Sequence, residues 1–164
     1  MAGVTKGDAV VLGPEEGEAL WQPLPSTGYV INKLTPYNTP YDDFSAGIQV
    51  LEPGRHIRRH AHERSHEVLF CYQGVGWAEI DGQRREVRAE TIILVGRGVW
   101  HTVHNSGPDQ MRLLWLMMPA GLEDWFRAIG RPRTAGEPLP PPFERPADIA
   151  DILRQQRFVP PEEP

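Results

Sequence analysis

The 164-residue chain is poor in the features that would mark it as secreted or membrane-bound. Its single cysteine, Cys71, excludes a disulfide framework and fits a reducing compartment. The longest apolar run, LLWLMMPAGL, is about half the length that a bilayer span requires. The first residues, MAGVTKGDAVVLGPEEG, lack the apolar stretch of a signal peptide. We therefore expect a soluble cytoplasmic protein with no membrane partner.

Positive charge is also scarce and scattered. The 17 lysine and arginine residues stand against 22 acidic residues, which gives a formal net charge of −5. No basic cluster is interleaved with aromatic residues, so the sequence lacks the footprint of a nucleic-acid interface. The partner that we expect is a small-molecule substrate.

Turn-forming residues, in contrast, are abundant. The 16 glycines and 17 prolines separate short apolar runs through the middle of the chain, which is typical of an all-β sandwich or barrel. Asp81-Gly82 predicts a two-residue hairpin of type I′. The predicted strands are YVINKL, FSAGIQVLE, HIRRHAH, EVLFCYQ, GWAEI, QRREVR, TIILV, HTVHN and MRLLWLMM.

The pattern changes after Pro119. The segment GLEDWFRAIG places Leu122, Trp125, Phe126 and Ile129 on one helical face. A proline-rich strap over residues 132–146 and a short helix, ADIADILRQQ, follow. We expect residues 159–164 to be disordered.

Half of the six histidines lie in HAHERSHE, residues 60–67. His60 and His62 share one face of a strand because alternate residues point the same way. Glu67 opens the next strand, and His101 lies in the distant segment GRGVWHTVHN. Three imidazoles and one carboxylate would suit Fe(II), Mn(II), Ni(II), Cu(II) or Zn(II). From these residues alone, a charged surface loop rich in histidine remains the alternative.

Two segments carry a family resemblance. Residues 54–74, GRHIRRHAHERSHEVLFCYQG, resemble the first motif of the cupin superfamily in the spacing of glycine, two histidines, glutamate and glycine. Residues 98–105, GVWHTVHN, resemble the second motif. There are two departures: Gly96 stands where the family usually has proline, and Glu90 where it usually has glycine. Both positions shape turns, so they concern the loops rather than the metal ligands.

The resemblance, to small single-domain cupins of quercetinase-like type, implies an all-β jelly-roll barrel over residues 28–119 with a metal ion inside. An N-terminal arm over residues 1–27 would precede the barrel. Residues 120–164 would add a short C-terminal helical extension, whose first helix either acts as a lid over the barrel or only covers a sheet edge. The resemblance also implies a homodimer. It assigns the metal ligands to His60, His62, Glu67 and His101.

The site that the resemblance implies suits a metal-dependent dioxygenase. We expect iron, with manganese, nickel, copper or zinc as alternatives, and an aromatic or enolisable substrate such as a flavonol or diketone. Glu67 is the candidate catalytic residue because it could take a substrate proton. The alternatives are a non-redox isomerase, lyase or cyclase, or a binding protein without turnover. The expected substrate-binding residues, each of which could equally be plain core, are Leu69, Cys71, Trp77, Trp100, Trp115, Met117, Trp125 and Phe126.

Overall fold

The structure is a computed structural model that describes residues 7–159. Its strands are β1 (Glu18–Trp21), β2 (Tyr29–Leu34), β3 (Ser45–Leu51), β4 (His56–His60), β5 (His66–Gln73), β6 (Val75–Ile80), β7 (Gln83–Arg88), β8 (Thr91–Val95), β9 (His101–Asn105), β10 (Met111–Met118) and β11 (Arg131–Pro132). Its helices are α1 (Leu122–Ile129) and α2 (Ile149–Gln155).

The strands form two antiparallel sheets. The larger has seven strands in the order β11-β1-β2-β3-β10-β5-β8, and the smaller has four in the order β4-β9-β6-β7. Buried side chains from both sheets, among them Leu69, Val103 and Trp115, belong to one apolar cluster between them. The all-β jelly roll with a short C-terminal helical extension is thus confirmed, although backbone pairing does not close the two sheets into one barrel.

The predicted strands correspond to β2 through β10. The hairpin between β6 and β7 is also confirmed, because Asp81 and Gly82 both have positive φ, at 50° and 74°. Strand β11 has two residues, too few to show a period-2 pattern, and the four residues of β1, EALW, do not alternate. Because β1 pairs with β2 and β11, the large sheet begins at Glu18, inside the segment that we assigned to an N-terminal arm. Residues 1–6 of that arm lie outside the described part of the chain.

Helix α1 has the predicted apolar face, and Leu122, Trp125, Phe126 and Ile129 are all buried. Two contacts hold its outer side: Tyr37 donates to Asp124 Oδ1 at 2.6 Å, and Arg127 pairs with Glu18 at 2.8 Å. Neither helix within residues 7–159 is long and apolar enough to cross a membrane.

The chain after α2 returns to the β-domain. Phe158 forms a β-bridge with His62, and the Val159 N–H donates to the Ala61 carbonyl at 3.0 Å. Val159 is therefore held by the domain rather than disordered as we expected, because its backbone finds a partner there. The expectation for residues 160–164 falls outside the described residues.

The departure at Glu90 has a structural cost. Glu90 occupies the tight turn between β7 and β8 with φ 73°, and its N–H donates to the Cys71 carbonyl at 2.7 Å. A side chain in this left-handed region costs about 1 kcal/mol or more, which explains why glycine suits the position.

We predict that Glu90→Gly raises the free energy of unfolding by about 1 kcal/mol, because it removes that cost. Urea denaturation monitored by circular dichroism measures the change. Ala89→Gly, one residue earlier and without positive φ, is the control and is expected to be destabilising. A Glu90→Gly protein no more stable than wild type would contradict the prediction.

Candidate metal centre

The proposed ligands come from both sheets. His60 ends β4 and His101 begins β9, and the two residues are paired across the small sheet. Glu67 lies on β5 in the large sheet, between Val95 and Met117 on the neighbouring strands. His62 follows β4 and is fixed by its bridge to Phe158. The four side chains meet in the space between the sheets, and the structure brings all of them together.

The cluster is compact and shielded from solvent. One ligand atom from each of the four residues lies within 4.8 Å of the others, and each residue is at most 6% exposed. Donors about 2.1 Å from one ion would be separated by about 3 to 4 Å. The spacing is thus close to what a single ion needs, and burial explains why these polar groups require a partner.

Backbone carbonyls fix two of the imidazoles. His60 Nδ1 lies 2.8 Å from the Arg58 carbonyl, and His101 Nδ1 lies 3.0 Å from the Val99 carbonyl. A carbonyl oxygen can only accept, so each Nδ1 carries the proton. In the neutral rings Nε2 then presents its lone pair to the centre, which is the arrangement typical of metal-bound histidine.

The contacts of Glu67 also fit a cation. Its Oε2 atom lies 2.9 Å from His101 Nε2 and 3.4 Å from His62 Nε2. A neutral ring with its proton on Nδ1 would turn a lone pair toward this carboxylate, which is favourable only if a proton or a metal ion lies between them. His62 Nε2 is buried and has no hydrogen-bond partner among residues 7–159. A metal ion would satisfy these groups together, so the residues present fit one.

The ionisation of the cluster also favours metal binding. Burial, followed by the neighbouring His101 and His62, holds the pKa of His60 well below its usual range, so the ring stays neutral. Burial alone would raise the pKa of Glu67, but its close contacts with His101 and His62 lower it below its usual range. Neutral imidazole and ionised carboxylate are the forms that bind metal.

The other histidines lie elsewhere. His66 is exposed on β5, in agreement with its strand parity. His104 lies on the outer side of the small sheet, stacked between His56 at 4.6 Å and Trp77 at 3.7 Å between ring centroids. Neither His66 nor His104 belongs to the metal cluster.

A cavity opens beside the cluster. His60, Glu67 and His101 form part of its wall, and apolar side chains form much of the rest. Of the residues that we expected in the substrate pocket, Leu69, Trp125 and Phe126 line this cavity. Further apolar wall residues, which the sequence did not single out, are Pro23, Ile57, Leu122, Ile129 and Phe158. Eight of the sixteen wall residues are apolar, and the open space of about 30 Å³ holds one or two water molecules, so a small apolar or aromatic molecule fits only if the walls move apart.

Three residues that we expected in the substrate pocket do not line this cavity. Cys71 and Trp115 are fully buried in the core, and Trp115 packs behind Phe126 with ring centroids 5.7 Å apart. Burial raises the pKa of the Cys71 thiol, as expected for an inert cysteine. Met117 lines a second cavity, which also contacts His62 and Phe158.

The structure corrects the placement of Trp77 and Trp100. Strand alternation turns Ala78 inward and Trp77 outward, where the Trp77 ring stacks on His104 and lies under Arg84. Trp100 precedes the inward-facing His101, and Arg59 lies 4.8 Å from the centre of its ring. Neither tryptophan lines the cavity. Parity relative to His101 would have excluded Trp100 from the sequence alone.

Helix α1 covers the cavity. Its residues Leu122, Trp125, Phe126 and Ile129 all contribute to the cavity wall. Phe158 completes this cover, with its ring centroid 4.8 Å from that of Trp125 and 5.1 Å from that of His62. The cover therefore combines the helix with the end of the described chain.

Five polar wall residues were not anticipated: Gln22, Ser26, Gln49, Arg58 and Arg145. Gln49 donates to Gln22 Oε1 at 2.6 Å, which joins two buried amides. Arg58 and Arg145 line the same cavity. Burial, and then the charge of Arg145, lowers the pKa of Arg58 to about 10, so it remains cationic at neutral pH. Arg58 lies where the register of β4 shifts, between Ile57 and His60, so strand alternation did not predict its position. Arg145 lies on the strap, where no sequence pattern indicated it.

Comparison with known proteins agrees with this geometry. A family model described as "Cupin domain" matches residues 47–117. "Polyketide synthase CurC" of Streptomyces cyaneus is 24% identical over 52% of this chain and 56% of its own length. The chain thus spans little more than half of that relative.

Solved structures show the same fold. A predicted oxalate decarboxylase from Thermotoga maritima superposes with a TM-score of 0.60 at 18% identity, over 68% of this chain and all of that chain. A cupin protein from Bacteroides fragilis gives 0.52 at 13% identity, over 72% and 88%. Residues 47–117 thus match a cupin domain, and these likenesses show that the chain has the cupin fold.

Proposed function

We propose that the protein is a metal-dependent cupin enzyme that uses O₂ to oxidise a small aromatic or enolisable molecule. The observation that carries the proposal is the buried set of His60, His62, Glu67 and His101, which opens into a cavity walled by aromatic side chains. A divalent transition metal bound there would supply Lewis-acid and redox chemistry toward a substrate enolate and O₂. Iron is the metal that we propose.

The chain's own groups have distinct roles in this proposal. His60 and His101 are oriented by backbone carbonyls, so they hold the metal position without moving. Glu67 faces both the histidines and the cavity, and it takes the substrate proton. Trp125, Phe126 and Phe158 cover the cavity, exclude water and pack against the substrate.

One relative favours a second candidate. The match named a polyketide synthase is compatible with enolisable β-dicarbonyl substrates, and such molecules also undergo cyclisation and isomerisation without O₂. In this alternative the metal only polarises a carbonyl group while Glu67 moves the proton. The two candidates share a substrate class and differ in the use of O₂.

The ligand assignment makes a direct prediction. His62→Ala should weaken metal binding at least about tenfold, because it removes one donor from the cluster. His66→Ala is the matched control, since it removes a neighbouring exposed histidine. Elemental analysis after purification without chelators measures both proteins. Equal metal loss in the two variants would mean that the ligand set is wrong.

O₂ uptake tests the reaction. Protein loaded in turn with iron, manganese, nickel, copper and zinc is mixed with flavonols, catechols and β-diketones in an oxygen electrode. We expect O₂ consumption with a redox-active metal, retained by His66→Ala and lost by His62→Ala. A protein that holds only zinc and consumes no O₂ would exclude the dioxygenase and favour the non-redox alternative.

We also propose that the protein is a homodimer. The outer face of the large sheet aligns Ile48, Leu114, Phe70 and Ile92 across four strands, and Ile92 and Leu94 are each 69% exposed. An apolar face of this kind is typical of an interaction surface. The family resemblance supports a second copy of this chain as its partner.

Light scattering should therefore give the mass of a dimer for the wild type. The double variant Ile92→Glu with Leu94→Glu should give a monomer, because two buried charges would oppose association. Leu139→Glu, an equally apolar-to-acidic change on the strap, is the control and should remain dimeric. A monomeric wild type, or a dimeric double variant, would contradict the proposal.

A further inference from the structure

We propose that Arg58 and Arg145 form a clamp for a carboxylate group, so that the cavity takes an aromatic or enolisable carboxylic acid. The inference rests on the proposed function, because it names the substrate class of the same cavity. Both side chains line the wall to which His60, Glu67 and His101 also contribute. An anion held by the two arginines would thus lie in the same cavity as the metal-ligating groups.

Among the described residues, neither arginine has an acidic partner. Within residues 7–159, no carboxylate oxygen lies within 4.0 Å of either guanidinium. Other arginines of the chain are paired, since Arg127 contacts Glu18 and Arg133 contacts Glu15, both at 2.8 Å. A partly buried cation without a counter-charge is costly, so its retention calls for an anion that binds there.

Hydrogen-bonding capacity is also left over. Arg58 Nη2 and Arg145 Nε are buried, and each lacks a hydrogen-bond partner in the described part of the chain. Arg58 is the more firmly placed of the two, because it stands on strand β4, two residues before His60, and both residues line the cavity. Buried donors of this kind are paired in most proteins, and a carboxylate would pair both at once.

Aromatic rings set the orientation of the clamp. The Arg58 guanidinium carbon lies 5.1 Å from the Trp125 ring centre and 5.0 Å from that of Phe158. The Arg145 guanidinium carbon lies 6.0 Å from the same Trp125 ring. Rings at these distances attract the cations but offer no strong acceptor for their N–H groups, which remain for a carboxylate. The same rings offer the apolar surface that an aromatic acid needs.

A role in holding helix α1 through Trp125 does not explain why two arginines lie beside that ring. A single arginine would make the contact with Trp125, whereas two like charges beside one ring repel each other. A bound carboxylate would relieve this repulsion. The position of Arg145 on the strap also has a consequence: the C-terminal extension supplies a specificity-determining residue to the site in addition to its cover.

A binding experiment tests the clamp without requiring turnover. 2-Naphthoate and its neutral analogue 2-naphthamide are titrated into the full-length protein by calorimetry, once with metal bound and once after metal removal. We expect the acid to bind at least about tenfold more tightly than the amide in both forms, because a charge-assisted hydrogen bond is stronger than one to a neutral amide. Equal affinities for acid and amide would overturn the proposal.

Variants test which residues cause the preference for the acid. Arg145→Gln should lower the affinity for naphthoate at least about tenfold and leave that for naphthamide nearly unchanged. Arg58→Lys keeps the charge but loses the planar fork, and it should reduce the preference for the acid. Arg85→Gln, on the exposed strand β7, is the control. If Arg145→Gln retains the full preference, the clamp is wrong; circular dichroism confirms that each variant is folded.

The outcome is separable from that of the O₂ experiment. Preference for the acid that depends on Arg145, in a protein that consumes no O₂, would support the clamp and reject the dioxygenase. O₂ consumption with neutral diketones, without any preference for naphthoate, would do the reverse.

Discussion

The site depends on one electrostatic constraint, a buried carboxylate surrounded by three buried imidazoles. Glu67 on one sheet faces His101 on the other, so the two sheets are joined through this polar contact as well as through the apolar core. Desolvation makes each of these groups costly in isolation. Together they form a centre of negative charge with lone pairs directed inward, to which a divalent cation could bind. Most of the surrounding architecture can be understood as the support of that centre.

Local sequence patterns predicted most of the fold and all four candidate metal ligands. Period-2 alternation and turn residues located β2 through β10, and the spacing of the two motifs located all four members of the cluster. These features are short-range in sequence, or are fixed by strand parity. The same reasoning missed β1 and β11, whose pairing depends on a contact between Leu20 and Pro132 that no local pattern encodes.

The residues of the substrate cavity were harder to predict from the sequence for the same reason. Leu69, Trp125 and Phe126 were found because each lies in an element with a clear inward face. Trp77 and Trp100 were wrongly predicted to line the cavity because the prediction followed their aromatic character rather than strand alternation. Arg145 and Phe158 reach the site from the strap and from beyond α2, and only the three-dimensional path of the chain shows this. Cavity walls built from distant segments are therefore the part that sequence patterns predict least well.

The bridge between His62 and Phe158 has a further consequence for folding kinetics. It joins segments that are far apart in sequence, and contacts of this kind tend to form late, after shorter-range hairpins are in place. A ligand set completed late is largely absent from the folding transition state. Bound metal would then lower the unfolding rate of the native protein and leave its folding rate almost unchanged. The ion would therefore add kinetic stability without taking part in the folding nucleus.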